Sequence, residues 1–367
     1  MKRTLLLLAL SIVIITSSCN FPGLSTNKGS TTANGGIGLN LLVSVTGDVQ
    51  LKRSTWTNFS PTSLGALLFT GDQILPAKGA KAVILCDGLT QWLVPTGAPS
   101  GLANGCPPAS KPILMRGASH IGGTRGGNDP LIPYIIAPRK TRILTATPTL
   151  RWNAVPGAKS YTVRLTTDKV IWEQTTDQNS LVYPGNPALK PGVNYLLTIE
   201  ADNGKRSQDE GVAGLGFSLM TADEANPVLK AKSAVTALNL SAEAEALALA
   251  QLYQGNNLTS EAVEILNGLA AQQTEVAAIY RMLGDLYLQS SLNLLAADNY
   301  QSAIDLAQTA KDIEGQAVAQ AGLGEAEDAL GHKDTATSAF NQALENYKLL
   351  GDQTRIDEIT ARLAQLK

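Results

Sequence analysis

The sequence is short of the side chains that do chemistry. Among 367 residues there are two histidines, His120 and His332, and three cysteines, while aromatic residues make up 5% and charged residues 16%. Two histidines so far apart in the chain supply no zinc cluster and no helix-borne histidine pair, and no Ser/His/Asp or Cys/His set forms around them. A Cys nucleophile working with His120 would need a free thiolate beside a base. Carboxylates are more plentiful, but they fall on solvated helix faces, where a glycosidase-like pair has no pocket. The chain therefore reads as a non-enzyme with no cofactor and no metal. Nucleic acid lacks a platform too, since there is no basic helix and no aromatic array. The apolar run from Leu5 to Ile15, broken only by Ser11, is about half of the ~20 residues needed to span a bilayer, which disfavours a permanent transmembrane helix.

What stands around that run makes it a secretory signal: Lys2 and Arg3 precede it, and Thr16-Ser17-Ser18-Cys19 follows. The small residues leading into Cys19 resemble a bacterial lipoprotein signal, in which the cysteine is acylated and becomes the mature N-terminus. Thr16 departs from the aliphatic residue preferred there, and ordinary signal-peptidase cleavage is the alternative. Residues 20–36, rich in Ser, Thr, Asn and Gly, then read as a flexible tether. The expected location is periplasmic or cell-surface, with the membrane as a partner through a lipid on Cys19. With Cys19 spent on the anchor, Cys86 and Cys106 remain as a pair, and an oxidising compartment favours their disulfide.

Charge is unevenly spread. From Glu243 to Lys367 there are seven Lys and Arg against eighteen Asp and Glu, a net −11, whereas the chain before Glu243 carries 22 basic and 13 acidic groups, a net +9. A basic front and an acidic back bias which partners approach each half.

From Leu39 to about Ile121, short apolar stretches such as Leu41-Leu42-Val43-Ser44-Val45 and Ala82-Val83-Ile84-Leu85 are cut by Thr46-Gly47-Asp48, Thr70-Gly71-Asp72 and Asp87-Gly88. Short strands broken by Gly and Asp turns predict a compact β domain. Gly47 then Val49, Trp56, Leu64 and Leu67 before Gly71-Asp72-Gln73-Ile74, then Gly79-Ala80-Lys81-Ala82-Val83-Ile84-Leu85 and Asp87-Gly88, resemble the FecR-like family over roughly fifty residues. That resemblance implies an extracytoplasmic contact module. A FecR-type relay also needs a cytoplasmic segment ahead of its span, and only Met1 to Thr4 precede the apolar run here, so the relay itself does not carry over.

Gly122-Gly123 and Gly126-Gly127 flank Arg125, but a phosphate cradle would have to open a helix, and Pro130 and Pro133 intervene. A linker is expected, with six basic residues between Lys111 and Arg142 against Asp129 alone, either solvated or docking an acidic ligand. The next strands read as Thr149-Leu150-Arg151-Trp152, Ser160 to Leu165, Val170 to Glu173 and Asn194 to Ala201, with turns at Pro156-Gly157 and Pro191-Gly192. Pro148-x-Leu150-x-Trp152, Val155, Gly157-Ala158, Tyr161-x-Val163 and Leu189-x-Pro191-Gly192-x-x-Tyr195 are similar to a fibronectin type III domain. The resemblance implies a buried indole at Trp152 and a tyrosine corner at Tyr195.

From Ala242 onward Ala and Leu recur at helical spacing and proline is absent after Pro227. Tyr280-x-x-Leu283-Gly284-x-x-Tyr287 followed by Ala296-x-x-x-Tyr300-x-x-Ala303 carries the tetratricopeptide spacing, with Tyr in place of Trp and Phe. Leu249, Tyr253, Ala262 and Leu266 repeat it upstream, and Leu323-Gly324 with Ala336-x-x-x-Phe340-x-x-Ala343 repeats it downstream. Ala246, Gln320 and Glu327 stand where an aromatic residue is usual. The downstream copy lies 40 residues on, longer than the upstream spacing of 34, and Asp312 and Asp352 share that longer offset.

The expected architecture is thus two small all-β domains, a FecR-like β domain over 37–122 and a fibronectin type III-like sandwich over 132–222 joined by a linker at 123–131. An all-α tetratricopeptide superhelix over 223–367 follows, with repeats near 243–276, 277–310 and 317–350 and a capping helix from Arg355 to Leu366. In that family the first helix of each pair lines a groove, where Gln251, Arg281, Asp285, Gln289, Glu325 and Asp328 fall outside the core stripe. The reading is a membrane-anchored adaptor binding a basic peptide or helix of an envelope protein there. Three alternatives remain open: a merely solvated face, docking of the array on the chain's own basic β domains, and cell-wall polysaccharide binding or envelope signalling by the first β domain.

Overall fold

A computed structural model describes residues 39–110, 112–114 and 126–366. The signal, Cys19, the 20–36 tether and His120 lie outside the described residues. Among the described residues no helix is long and apolar enough to cross a membrane.

The first β domain contains β1 (Asn40–Thr46), β2 (Val49–Lys52), β3 (Ser60–Pro61), β4 (Leu67–Leu68), β5 (Gln73–Pro76), β6 (Lys81–Leu85), β7 (Gln91–Leu93) and β8 (Ser100–Gly101). They form two four-stranded sheets, ordered β4-β1-β6-β7 and β3-β2-β5-β8. Leu42, Ile84 and Ala82 of the first sheet meet Val49, Leu51 and Ile74 of the second in one core. The opposite face of the first sheet is apolar as well: Leu41, Val43, Val83 and Leu85 pack with the helices. A strand covered on both sides has no polar face to present, which is why β1 reads as a near-continuous apolar run. Cys86 and Cys106 are disulfide-bonded, with Cα atoms 5.3 Å apart, and both are buried beside that core. Closing this loop contributes about 3 kcal/mol in the chain-entropy picture.

The second β domain contains β9 (Ile135–Ala137), β10 (Thr141–Ile143), β11 (Thr149–Trp152), β12 (Tyr161–Thr166), β13 (Val170–Thr176), β14 (Ser180–Val182), β15 (Asn194–Ala201) and β16 (Phe217–Leu219). One sheet runs β10-β16-β15-β12-β13 and the other β14-β11-β9. Their alternating inward residues enclose Trp152, Val163, Leu165, Leu197, Ile199 and Phe217. The hydroxyl of the buried Tyr195 accepts a hydrogen bond from the Lys190 N–H at 2.7 Å, fixing the turn that precedes β15.

The helices are α1 (Ala222–Thr236), α2 (Ala242–Gly255), α3 (Thr259–Ala270), α4 (Ala277–Gln289), α5 (Asn293–Thr309), α6 (Ile313–Leu330), α7 (Lys333–Leu350) and α8 (Gln353–Leu366). The last seven make three hairpins, α2/α3, α4/α5 and α6/α7, closed by α8, in a tetratricopeptide-like stack. Within each hairpin the turn carries a left-handed residue: Asn257, Ser291 and Gly331. Helices approach where a side chain is missing. A Cβ on Gly284 would lie 2.7 Å from the Tyr300 ring, and one on Gly324 would lie 2.8 Å from the Phe340 ring. Each glycine precedes its aromatic partner by the same number of residues, so the second and third hairpins share one packing device. In the first hairpin Ala250 and the aliphatic Leu266 stand at those places.

Candidate functional site: the inner face of the helical array

The first helices of the three hairpins, α2, α4 and α6, form the face on which the proposed groove residues lie, and the β domains cover it unequally. Helix α2 is enclosed almost all round, with Ala244 and Ala246 to Tyr253 buried. Leu247 and Ala278 meet the chain at Gly65, where an added Cβ would come within 2.9 Å and 2.3 Å of them. Gln251, one turn beyond Leu247, is 5% exposed and donates from Nε2 to the Met282 sulfur at 3.6 Å. It faces the neighbouring repeat.

On α4, Arg281 and Asp285 form an i,i+4 ion pair at 2.7 Å, and the Tyr300 hydroxyl donates to the other Asp285 oxygen at 2.8 Å. Burial, with Asp285 adding to it, pushes the Tyr300 hydroxyl well above its ordinary range, so it is held as a donor. Gln289 is half-buried at the end of α4. On α6, Glu325 is held in a fork by Arg362 of α8 at 2.6 and 2.7 Å. The same guanidinium reaches Asp328 at 3.0 Å and lies over the Phe340 ring at 5.5 Å. The two carboxylates, with its fork hydrogen bonds to Glu325 leading, raise the pKa of Arg362 further. Five of the six predicted residues therefore divide into three local sets, Gln251 with Met282, Arg281 with Asp285, and Glu325 with Asp328 through Arg362, while Gln289 stands at the end of α4. Sequence reasoning did not single out Arg362. An i,i+3-type hint exists only within α8, while this pair spans two helices.

Loop 53–63 and the 126–144 segment clasp opposite edges of the array. Arg53 donates two hydrogen bonds to Glu314 at 2.7 and 2.8 Å and pairs with Asp72. Trp56 Nε1 donates to Asp352 at 2.9 Å. Asp312 and Asp352, the residues that share the longer repeat offset, accept from Gly315 N–H and Arg355 N–H at the starts of α6 and α8. On the other edge the Arg142 N–H donates to the Asn257 carbonyl at 2.8 Å. Arg139, whose side chain has 0% exposure against 5% for Glu210, donates to the Ser290 and Ser291 carbonyls at 2.7 and 3.3 Å and to Glu210 at 2.9 and 2.8 Å. Asn128 donates to the Ala329 carbonyl at 3.2 Å. The segment thus touches the turn region of all three hairpins.

The described part of the glycine-rich loop opens no helix. Gly127 N–H donates to Glu210 at 2.6 Å, so a carboxylate of the chain itself sits where a phosphate cradle would have placed its anion, and Gly126 lies against Ser291 closely enough that a Cβ would come within 2.7 Å of its carbonyl oxygen. His332 pairs with Glu327 at 2.7 Å on the surface.

No protein-family model matches the chain, and no curated protein matches it. Among solved structures, two crystal structures of MamA are similar at 20% and 22% identity. They cover 38% and 39% of this chain and 89% and 81% of their own, with a TM-score of 0.29 each. A Podosopora anserina kinesin light chain with nearly identical TPR-like repeats is similar at 18% identity, covering 38% of this chain and 87% of its own, with a TM-score of 0.28. Overlaps of this size carry no argument about partners. The tetratricopeptide reading rests on the spacing of the repeats and on the hairpins they form.

Proposed function

We propose that the protein is a non-enzymatic, extracytoplasmic scaffold, tethered through an acylated Cys19, that binds an envelope protein on the inner face of its second and third helical repeats. Its β domains are read as FecR-like and fibronectin type III-like contact and spacer modules. One observation carries this reading: α2 is enclosed, whereas Arg281, Asp285, Gln289, Glu325 and Asp328 on α4 and α6 keep part of their surface in water. A row of half-buried, geometrically fixed polar groups suits recognition of an extended peptide or a helix better than it suits a reaction. Because Arg362 occupies Glu325 and Asp328 of α6, a partner's basic side chain has to compete with it. Arg362 then sets the affinity threshold and excludes weakly basic sequences.

The test is capture of envelope proteins by the full chain and by Asp285→Lys/Glu325→Lys. Loss of specific partners in the variant supports the groove; identical partner profiles remove it. Arg362→Gln frees two carboxylates and is expected to strengthen capture of basic peptides about tenfold, with a steeper fall as salt is added. Partitioning of Cys19→Ser into the soluble fraction tests the anchor separately.

A further inference from the structure

The seam of the first β domain with the array buries more carboxylate than cation, and the seam of the second, where Arg139 is already paired with Glu210, adds Glu261. At the first, Asp72, Asp312 and Asp352 are 3%, 9% and 7% exposed, and Glu314 stands beside them. Arg53 bridges Glu314 and Asp72, while Arg355 of α8 is engaged by Glu358 at 2.6 Å. Ser63 of the β domain faces Asp312, and Tyr347 of α7, its hydroxyl kept neutral by burial, packs behind. At the second seam, Glu261 of α3 accepts the Leu144 N–H at 2.7 Å with one oxygen. The other oxygen is enclosed without a hydrogen-bond partner, as is the Nε of Arg151. Both side chains line a cavity of about 40 Å³ with Ser260, Glu264, Thr145 and Thr149. Glu264 adds a second negative charge on the same helix, Arg151 is the facing cation from β11, and Tyr253 of α2 is held neutral by burial. A buried carboxylate lacking a full set of partners favours its protonated form.

We propose that these carboxylates make closure of the β domains on the array a proton-controlled latch, whose loosening uncovers the inner face of the array at Leu247 and Ala278. The latch does not depend on the binding role proposed above; only the use of the uncovered face as added docking surface does. Desolvation raises Asp312 to about 6 and Glu261 to about 7, and it also raises Asp72. In the closed state these groups hold protons at pH values where free carboxylates have lost them, so closing takes up protons. Closure is fully favoured below the ordinary carboxylate range and weakens as pH rises through those two values.

Hydrogen–deuterium exchange on the full-length protein tests this between about pH 5.5 and about pH 8.5, after correction for intrinsic rates. Protection of segments 139–144 and 244–251 is expected to fall about tenfold across that range, while β15 in the core of the second β domain stays constant. Glu261→Gln keeps the acceptor for Leu144 and should flatten the response at 139–144. Asp312→Asn keeps the helix cap and should flatten it at 53–65. Protection independent of pH in the wild-type chain overturns the latch without any variant. So does an equal fall in β15, which would mean general loosening, or an unchanged slope in both variants. Glu261→Asp, which keeps a titrating carboxylate, should retain the slope; its loss there too would show that geometry and not protonation is responsible. None of these outcomes touches partner capture by α4 and α6.

Discussion

The two β domains hold the same helices by different chemistry. The first lays the outer face of its β1–β6 sheet on the array, burying Leu41, Val43, Val83 and Leu85 in the cluster that contains Leu247 and Met282. The second sends a strap whose hydrogen bonds end on backbone carbonyls of the hairpin turns. Apolar burial is strong but non-directional, so a sheet face alone would tolerate sliding. Carbonyls at fixed turn positions tolerate none. Strength on one edge and register on the other together set one arrangement.

The contrast breaks first at Arg139. Arg139→Met leaves Glu210 buried without its paired cation and should lower stability by about 4 kcal/mol in urea unfolding, with most of the loss restored in the Arg139→Met/Glu210→Gln pair. If the single variant unfolds like wild type, the strap is not holding the array. Leu41→Ala, at the centre of the sheet seam, should cost about 3 kcal/mol through the cavity it leaves, and that loss should not depend on salt. Trp56→Phe keeps the ring in place and removes only the donor to Asp352, so a loss of about 1–2 kcal/mol is expected, confined to the first seam in exchange experiments. Thr221→Ala removes a hydroxyl that donates to Glu224, the partner of Arg142 in the strap, and should cost about 1 kcal/mol at the start of α1 while leaving the first seam as protected as before.

Much of the array was legible because its reasons are local and periodic. Gly284 with Tyr300 and Gly324 with Phe340 announce close helix approach at one spacing, and Tyr195 with its upstream Pro-Gly turn announces a corner. Helix α1 was harder to see: Pro227 argues against a helix interior, yet the Thr221–Glu224 capping box starts one, and the helix continues through the proline at the loss of one hydrogen bond. Docking of the array on the basic β domains was one of the readings, but the contacts that make the seams were not legible. Arg53 meets Glu314 across 261 residues of chain, and no propensity or period encodes a contact at that range. The residues proposed for the groove were chosen by position in the repeat, and their partners within the chain were not visible, since Arg362 belongs to a helix read only as a cap.

One strand carries a mechanical consequence. β1 is an inner strand, paired with β4 on one side and β6 on the other, and Leu39, just ahead of it, donates its N–H to the Leu114 carbonyl. Tension applied at Leu39 along the strand axis loads both ladders in shear, so many bonds must fail together and none can be peeled off singly. A pull in that direction loads the β1 ladders together with the side chains of β1 that pack on the helices, Leu41 and Val43.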